Sequence, residues 1–408
     1  MKIPFSPPYI DESVIAEVTD SLRSGWITTG PKVQALEQEI KQLSGAGEVL
    51  CVNSWTTGAI MTLRWLGVKP DDEVIIPAYT YCATALAVLW AGAKPVMVDS
   101  GDDFNISVEA IRRAITPRTK VIMPVDIAGW PCDYEAIMSL VNEPSIKAQF
   151  QPTSPIMEQM GRITVINDSA HSIGARYGGH RSGAQTDIAI FSLHAVKNIT
   201  TAEGGAICLN MPQPFDNSEL YSQLRLMSLN CQTKDAFTKN KAGGWRYDIV
   251  GMGMKANMAD VNAAIGLAQI RQYDRLLAQR KHIFSAYSQA LSQQPWAILP
   301  PTDDGRRETS YHVYALRIDG VTEDERDAII AEIAKRDIAV NVHFVPLPML
   351  TFFHSLGYDI KDYPQAYRNY AHEITLPCYP QLTDEAVQAI VEALCDAYQT
   401  IKKTNKLR

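Results

Sequence analysis

The sequence predicts an α/β protein in two parts: a three-layer α/β/α large domain on a mixed, mostly parallel sheet, and a smaller C-terminal α+β domain. Two observations lead to this prediction. Up to residue 209, short apolar runs alternate with helix-length segments, a pattern typical of crossover units in parallel sheets. From residue 258 onward, a long helical region precedes a second, smaller set of strand and helix patterns. We expect the large domain to span residues 1–260, and the linking helix with the small domain to span residues 261–408.

The first half of the chain contains the elements of the sheet and of the helices that cover it. Because no helix-length segments separate the last three strands, we expect the sheet to be mixed. Residues 145–160 are polar and contain prolines, which predicts a surface loop. The predicted strands are 49–52, 73–77, 95–98, 119–125, 163–166, 187–192 and 205–209, and the predicted helices are 57–66, 80–91, 107–115 and 134–141.

The second half begins with a helical region over residues 258–293 and continues with strands at 311–318 and 338–344. Between these strands, Thr322 and Glu325 have the spacing of a capping box, which predicts the start of a helix. A closing amphipathic helix is predicted by apolar residues at helical spacing: Val387, Ile390, Val391 and Leu394.

Composition and charge are those of a globular protein that does not bind nucleic acid. Of the 408 residues, 46% are hydrophobic and 20% are charged, and the formal net charge is −7. An acidic balance argues against general binding to nucleic acid or to anionic membranes, although it allows a local basic pocket.

Cysteines and hydropathy predict a reduced protein outside the membrane. The seven cysteines are scattered and never spaced as CxxC, which predicts free thiols and no metal site. The uncharged stretch 74–93 approaches the length of a membrane span, but Pro77 interrupts it, so a buried strand followed by a helix is favoured. The N-terminus has no apolar signal-peptide core, and we expect a cytoplasmic protein.

A lysine after a buried strand is the first candidate catalytic group. Lys197 lies between Ser192 and the glycine pair 204–205, close to His194. Most lysines remain in water, but burial lowers the pKa of an amine and frees a neutral nucleophile. A neutral amine can form an imine with an aldehyde. For this segment alone, an exposed surface lysine is the commoner case.

A carboxylate at the end of the preceding strand is the second candidate. Asp168 follows strand 163–166, and ligands of open α/β sheets bind beyond the carboxyl ends of the strands. A carboxylate there can pair with the pyridine nitrogen of pyridoxal phosphate and keep that nitrogen protonated. An N-cap or turn aspartate is the ordinary alternative.

Two more segments match the phosphate and the ring of such a cofactor. Residues 53–58 lie between a strand and a helix, where amides and hydroxyls bind anions and the helix dipole adds about 0.3–1 kcal/mol per charge. An ordinary N-cap formed by Ser54 or Thr56 is equally compatible with this segment. An aromatic residue within 77–81 can lie against a pyridine ring, although a core tyrosine produces the same pattern.

Together and in this order, the segments resemble the aspartate-aminotransferase-like pyridoxal phosphate fold and, more narrowly, the DegT/StrS sugar aminotransferase family. The resemblance extends from about residue 3 to the final helix. The motifs that carry it are SGWITTGPK at 24–32, DSAH at 168–171, the segment 191–205 and NMADVNAA at 257–264.

The resemblance implies roles for individual residues. Lys197 matches the Schiff-base lysine and Asp168 the partner of the pyridine nitrogen, so these two are the expected catalytic residues. Asn257 matches an asparagine lent across a dimer interface, which implies a homodimer with shared active sites. The expected cofactor-binding residues are Thr56, Thr57, Tyr81, Asp168, His171, Ser192, Lys197 and Asn257, and the expected substrate contacts are Ile27, Thr28, His194 and His343.

Three features separate this chain from some relatives of the family that it resembles. Tyr81 stands where relatives often have Trp or Phe, a mild change. The segment 145–160 is longer than the usual connection, which leaves room for a lid or an extra partner. Lys197 is retained where dehydratases of the family have His, and this favours amino transfer.

The resemblance therefore implies a pyridoxal 5′-phosphate-dependent aminotransferase. We expect it to move an amino group from L-glutamate to the keto carbon, C4, of a nucleotide-linked sugar, in amino-sugar biosynthesis for surface polysaccharide or lipopolysaccharide. Segments 24–32 and 197–205 are most similar to enzymes that use UDP carriers. The alternatives are a pyridoxal phosphate-dependent sugar dehydratase or lyase, and a non-catalytic regulatory relative. A nicotinamide dehydrogenase would need GxGxxG after the first strand, which residues 53–58 do not supply.

Overall fold

The computed structural model describes residues 2–233 and 245–406. In this part of the chain, a central sheet of seven strands has the order β1-β9-β8-β5-β4-β2-β3. All neighbours are parallel except β9, which is antiparallel to β1 and to β8, so the expectation of a mixed, mostly parallel sheet is confirmed. The strands are β1 (Glu48–Val52), β2 (Glu73–Pro77), β3 (Lys94–Val98), β4 (Thr119–Ile122), β5 (Thr164–Asp168), β8 (Ile188–Ser192) and β9 (Gly205–Leu209).

Six shorter or C-terminal strands form two further sheets, each of three strands, within the described residues. One sheet has the order β10-β12-β13 and the other β11-β6-β7. The strands are β6 (Arg176–Tyr177), β7 (His180–Arg181), β10 (Ala297–Ile298), β11 (Arg307–Glu308), β12 (Tyr314–Ile318) and β13 (Glu373–Leu376).

Helices cover both faces of the central sheet and pack on the β10-β12-β13 sheet. Those before the sheet's last strand are α1 (Glu12–Arg23), α2 (Pro31–Ser44), α3 (Trp55–Leu66), α4 (Cys82–Ala91), α5 (Val108–Ala114), α6 (Tyr134–Asn142), α7 (Pro144–Gln149) and α8 (Pro155–Met160). Those after it are α9 (Asn217–Ser228), α10 (Asp260–Ile270), α11 (Tyr273–Leu291), α12 (Glu323–Ala334), α13 (Thr351–Ser355), α14 (Pro364–His372) and α15 (Asp384–Lys406).

The three layers follow from the alternation of side chains along the strands. In β8, Ile188 and Ile190 pack into the core on the α3 and α4 side of the sheet. Their neighbours Ala189 and Phe191 pack into a separate core with α2 and α10. Because successive side chains of a strand point to opposite faces, both faces of the sheet are buried and covered.

The C-terminal elements bury a core of their own. Tyr314 and Leu316 of β12 pack with helices α11, α12 and α15, and Ile3 from the N-terminus joins this core. The predicted capping box is present at the start of α12. There Thr322 Oγ1 accepts from the Glu325 N–H at 3.2 Å, and Glu325 Oε2 accepts from the Thr322 N–H at 3.0 Å.

The prediction of a loop over residues 145–160 is wrong. Most of this segment forms α7 and α8, which begin at Pro144 and Pro155, and Ser154 caps α8 by accepting from the Met157 N–H at 3.2 Å. Each helix buries one apolar residue, Ile146 and Met157, and Ile156 and Met160 of α8 pack on the core while partly exposed. A single buried residue per helix produces no periodic pattern, which is why the composition indicated a loop.

The prediction of a strand at 338–344 is also wrong. Within the described residues, this segment forms only two isolated bridges, Ile338 with Ile3 and Asn341 with Thr375. The His343 N–H donates to the carboxylate of Glu373 at 3.0 Å rather than to a strand carbonyl. The Glu373 side chain therefore takes the place of the strand carbonyl that would accept this hydrogen bond, and the segment does not continue as a strand.

Other boundaries and elements also differ from expectation. Strand β4 ends at Ile122 rather than at 125. Strand β12 begins at Tyr314 rather than at 311, because Tyr311 has a left-handed backbone with φ 55°. The region 258–293 is two helices, α10 and α11, rather than one. The sequence analysis did not predict helices α1, α2, α9, α13 and α14 or strands β6, β7, β10, β11 and β13. Among the described residues, no helix combines the length and the apolar character needed to cross a membrane.

Candidate active site

Strand ends of the central sheet place polar groups around one cavity. Strands β5 and β8 end at Asp168 and Ser192, and helices α3 and α4 begin beyond β1 and β2. The cavity has a volume of about 460 Å³, which lies within the usual range for a small-molecule site. Its walls are formed by Ser54, Trp55, Thr56, Thr80, Tyr81, Ala83, Thr84, Val125, Asp168, Ala170, His171, Ser192, His194, Val196, Lys197, Glu203, Gly204 and Phe344.

Lys197 lies on a tight turn beyond β8 and lines this cavity. The turn is held by the Lys197 N–H, which donates to the His194 carbonyl at 2.9 Å. Over residues 2–233 and 245–406, the Lys197 amine has no hydrogen-bond or salt-bridge partner. Burial lowers the pKa of this amine from 10.5 to about 8, and the charge of Asp168 opposes part of the shift. A substantial neutral fraction is therefore present near pH 8, as nucleophilic attack on an aldehyde requires.

Asp168 is only 5% exposed and faces the same cavity. Its carboxylate accepts from the Thr84 hydroxyl at 2.9 Å and from the Ala170 N–H at 3.2 Å. Burial raises the pKa of Asp168 from 3.8 to about 7, while these two hydrogen bonds and the charge of Lys197 act in the opposite direction. A cationic ligand placed against this carboxylate would lower its pKa and would itself be held protonated.

His171 forms another wall and is held in one tautomer. Its Nδ1 accepts from the Ala128 N–H at 3.2 Å, so the neutral ring carries its proton on Nε2. The ring packs against His312 at 4.4 Å and against Phe344 at 5.8 Å, measured between centroids. Burial, with the charge of Lys197, holds the pKa of His171 well below its ordinary range. His171 is therefore a neutral hydrogen-bond donor.

The start of α3 forms an anion cradle. Ser54 caps the helix by accepting from the Thr57 N–H at 3.1 Å, which leaves the N–H groups of Trp55 and Thr56 without acceptors in the described part of the chain. The buried indole Nε1 of Trp55 also has no partner there. The backbone of Ser54 and Trp55 packs directly against Gly205, and only glycine fits there, since a Cβ at position 205 would lie 2.7 Å from that backbone. Free donors at a helix N-terminus bind phosphate.

Aromatic and apolar residues line the outer part of the cavity. Tyr81 is 59% exposed, and its ring lies 5.7 Å from that of Phe344. Val196 on the neighbouring turn is 39% exposed. His194 also lines the cavity, where its Nε2 lies 3.7 Å from the Glu203 carboxylate. A flat ring inside the cavity would therefore contact Tyr81 and Phe344 near the opening.

Seven residues expected at a cofactor or substrate site come together in this cavity, and five do not. Thr57 is used within the cap, where its hydroxyl contacts Asn53 and Ser54. Asn257 donates to Thr29 Oγ1 at 2.6 Å and lies outside the cavity of its own chain, as do Ile27, Thr28 and His343. The seven lining residues are Thr56, Tyr81, Asp168, His171, Ser192, His194 and Lys197.

Among the residues that line this cavity, the sequence analysis gave no role to Thr84, Phe344 and Glu203, which contact the expected site residues. Thr84 binds the carboxylate of Asp168, Phe344 packs on His171, and Glu203 faces His194. A signal existed for Thr84, because it lies one helical turn after Tyr81 and so shares its face. No local pattern indicated Phe344, which reaches the site from a distant, irregular segment.

These residues fit pyridoxal phosphate. The N–H groups at the start of α3 suit its phosphate, the buried carboxylate of Asp168 suits its ring nitrogen, and the buried Lys197 amine of lowered pKa suits its aldehyde. The fold and this cavity together define a pyridoxal phosphate-dependent enzyme of the aspartate aminotransferase fold. A sequence model of the DegT/DnrJ/EryC1/StrS aminotransferase family matches residues 8–395, and the chain belongs to that family.

Solved structures and curated sequences agree with this assignment. The chain is similar over its whole length to Spr1654 of Streptococcus pneumoniae, assigned as a sugar aminotransferase, with 40% identity, 100% coverage of both chains and a TM-score of 0.94 for the PMP form. The PLP form of that protein gives a TM-score of 0.93. Helicobacter pylori PseC, an aminotransferase of pseudaminic acid biosynthesis, is 25% identical, with a TM-score of 0.85 over 98% of this chain and 100% of that one.

Among curated sequences, the chain is 33% identical to the spore coat polysaccharide biosynthesis protein SpsC of Bacillus subtilis over 402 residues, which are 97% of this chain and 96% of SpsC. It is 34% identical to the uncharacterised protein MJ1066 of Methanocaldococcus jannaschii, over 96% of this chain and 97% of that one. Because these matches span nearly the full length of each protein, the family assignment applies to the whole chain.

Proposed function

We propose that this enzyme transfers an amino group from L-glutamate to the C4 keto carbon of a nucleotide-linked sugar, in the biosynthesis of an amino sugar for a surface polysaccharide. The observation that carries the proposal is the placement of Lys197 and Asp168 on one cavity. The amine has a lowered pKa and the carboxylate is buried, and each shifts the pKa of the other. The pathway is supported by the names of relatives, SpsC and PseC.

Pyridoxal phosphate supplies an aldehyde that captures amines and a protonated ring that withdraws electrons from the carbon next to the nitrogen. Lys197 Nζ would move the proton in each half of the reaction. In its neutral form it would remove the proton from the donor α-carbon, and as the resulting ammonium it would give that proton up again within the same half. In the second half it would run the shift in reverse and deliver a proton to the sugar carbon that receives the amine. Asp168 holds the ring nitrogen protonated, because its ionised form is stabilised by that charge. Lys197 and Asp168 are therefore the proposed catalytic residues.

Other side chains would hold the cofactor in place. The N–H groups of Trp55 and Thr56, with the hydroxyls of Thr56 and Ser192, bind the phosphate. His171 Nε2–H would donate to the phenolic oxygen of the ring, and Tyr81 would stack on the ring face. These roles rest on the family resemblance and on the position of each group in the cavity wall.

We propose that His194 and His343 contact the sugar, and that the turn with Ile27 and Thr28 contacts the nucleotide. His194 lines the open side of the cavity, where its partner Glu203 has a side chain that is 68% exposed. Ile27 is 54% exposed and lies in the same turn as Thr29, which binds Asn257. A substrate that is larger than the cavity extends over this surface.

The proposed assembly is a homodimer in which Asn257 completes the phosphate site of the second copy. Asn257 does not line the cavity of its own chain, although it follows Lys255 and Ala256, whose carbonyls accept from Asn53 next to the cradle. The segment before it exposes large apolar side chains, among them Trp245, which is 71% exposed, and Met252, which is 85% exposed. Surface of this kind marks a protein interface.

All seven cysteines are free thiols, five of them buried, which supports a reducing compartment, and we propose that the reaction takes place in the cytoplasm.

The test is a product assay. The purified protein is mixed with pyridoxal phosphate, L-glutamate and a panel of UDP-, GDP- and dTDP-linked 4-keto sugars, and the products are identified by mass spectrometry. We expect an amino sugar and 2-oxoglutarate from one carrier, and neither from Lys197→Ala. A deoxy sugar without amine transfer would instead identify a dehydratase. Absence of any product and of cofactor absorbance would contradict the catalytic proposal.

A further inference from the structure

A buried carboxylate lies behind the site and takes no part in the proposed chemistry. Glu373, at the start of β13, is 0% exposed, and within residues 2–233 and 245–406 it forms no ion pair. Its Oε2 accepts from the His343 N–H at 3.0 Å, and its Oε1 contacts the hydroxyl of Thr375. Burying a carboxylate without a cationic partner is unfavourable in free energy.

The Thr375 hydroxyl connects this carboxylate to an imidazole beside the active site. Thr375 Oγ1 lies 3.0 Å from Nδ1 of His343, whose ring is stacked on Phe5 with 5.5 Å between centroids. The His343 ring also packs against the ring of Phe344, which lines the cavity. The charge of Lys197 reaches His343 and lowers its pKa, so the ring is close to the catalytic amine. Ring Nε2 of His343, on the edge away from Thr375, has no partner in the part of the chain that the structure describes.

Glu373, Thr375 and His343 form a series of hydrogen bonds. Because the Thr375 hydroxyl has a single proton, the direction of its bond to Glu373 decides the direction of its bond to His343. When Glu373 is ionised, Thr375 donates to Oε1 and must accept from Nδ1–H of His343, which leaves Nε2 as an acceptor. When Glu373 is protonated on Oε1, it donates to Thr375, and Thr375 donates to Nδ1. The neutral ring then carries its proton on Nε2, which becomes a donor.

We propose that Glu373 and Thr375 are positioning residues that select the tautomer of His343, and thereby decide whether Nε2 offers a donor or an acceptor to the ligand. The tautomer itself is a property of the free protein. Its use in recognising a sugar hydroxyl or keto oxygen rests on the proposed function, in which His343 contacts the sugar.

The pKa of Glu373 decides the pH at which the tautomer of His343 changes. Burial raises the pKa of Glu373 from 4.5 to about 8, and the Arg326 guanidinium on α12 opposes part of this shift. The Tyr79 hydroxyl, which donates to the His343 carbonyl at 2.5 Å, is close enough for the charge of Glu373 to raise the pKa of Tyr79, and Arg317 of β12 is the cross-strand neighbour of Glu373. Protonated Glu373, and with it the donor tautomer, therefore predominates below about pH 8, and the acceptor tautomer predominates above it.

The imidazole itself stays neutral across this range. Burial and the charge of Lys197 lower the pKa of His343 to about 4. His171 and His312, the other titratable groups that face it, are also kept neutral by burial. A change in the ring nitrogens of His343 near pH 8 therefore reports a tautomer change and no gain of charge.

The experiment records ¹⁵N spectra of the histidine-labelled full-length protein without substrate, about two pH units below and above the Glu373 pKa of about 8. The His343 signals are assigned with His343→Gln. We expect a protonated Nε2 at the lower pH and a protonated Nδ1 at the higher pH. One unchanged tautomer at both pH values would overturn the proposal without any variant.

Three variants test the connection. In Glu373→Gln, the amide oxygen accepts from the His343 N–H and the NH₂ donates to Thr375, so Nε2 should stay protonated at both pH values. Thr375→Val removes the link and should abolish the pH response, whereas Thr375→Ser should keep it. A Glu373→Gln protein whose His343 responds to pH like the wild type would refute the inference, and so would a Thr375→Val protein that does so.

An activity measurement then tests the use of the tautomer. Loss of one well-placed hydrogen bond changes KM for the sugar by about tenfold, and we expect such a change in Thr375→Val, with rescue in Thr375→Ser. If the protein proves not to transaminate sugars, the spectra still decide the tautomer question. If the tautomer switches and KM is equal in all variants, the recognition role is wrong and the proposed function is untouched.

Discussion

Replacing Thr84 with valine tests how the protein controls the charge of Asp168. The Thr84 hydroxyl donates to Asp168 Oδ2 at 2.9 Å, and both side chains are buried. Valine keeps the shape of threonine and removes the hydroxyl, which donates to Asp168 and also lies 2.9 Å from the Thr80 hydroxyl. Because the hydrogen bond stabilises the ionised carboxylate, we expect Thr84→Val to raise the pKa of Asp168 further above its value of about 7.

The size of the effect follows from the charge on the acceptor. A hydrogen bond to a charged group contributes about 1.5–3 kcal/mol, and one pKa unit corresponds to about 1.4 kcal/mol. The pKa should therefore rise by about one to two units. Near neutral pH, most Asp168 carboxyls would then be protonated and unable to form an ion pair with the ring nitrogen. The affinity for pyridoxal phosphate should fall by about tenfold to a hundredfold.

The assay is a cofactor titration followed by absorbance at a series of pH values. We expect the profile of affinity against pH for Thr84→Val to move to higher pH by about one to two units. Thr84→Ser keeps the hydroxyl and should follow the wild type. Thr62→Val is the matched control, since Thr62 is also buried in a helix and donates to the Gly58 carbonyl at 2.8 Å, away from the cavity. Coincident profiles for Thr84→Val and the wild type would refute the role given to Thr84.

Three further predictions concern the catalytic pair and the dimer. Borohydride reduction of the protein with pyridoxal phosphate should label Lys197, with a rate that rises with pH and levels off above about 8; peptide mass spectrometry showing another labelled lysine would contradict this. Burial raises the pKa of Asp168 from 3.8 to about 7, so ionisation of this carboxyl lowers the stability of the folded protein as the pH rises through that window. Asp168→Asn should therefore raise the Tm of the cofactor-free protein at about pH 8 but not at about pH 4. Calorimetry that finds an equal gain in Tm at both pH values would refute this prediction. Mixed refolding of Lys197→Ala with Asn257→Ala should recover about a quarter of wild-type activity, because each hybrid dimer has one intact shared site; no recovery would show that Asn257 acts within its own chain.

Much of the large domain was predictable because its strands are short apolar runs with helices between them. Each predicted strand of the central sheet overlaps an observed one, since burial on both faces of the sheet favours runs of apolar residues. The segments that failed carry weaker signals. Helices α7 and α8 bury one apolar residue each, and residues 338–344 are apolar enough for a strand but pair with a side chain instead.

The candidate site also contains residues that the sequence could predict and residues that it could not. Lys197, Asp168 and the cradle at 53–58 lie where strands end, and chain order alone brings such ends to one edge of a parallel sheet. Thr84, Phe344 and the hydrogen-bond chain through Glu373 and Thr375 carry no such signal, because each depends on a contact between distant segments.

The sequence by itself determined the alternation of strands and helices, the order of the catalytic groups and the family to which the chain belongs, because these depend on residue type and local spacing. Only the tertiary structure decided the charge states. The pKa values of Lys197, Asp168 and Glu373 follow from burial and from partners that lie far away in the chain. Desolvation acts through everything that surrounds a group in space, and no local pattern in the sequence records that environment.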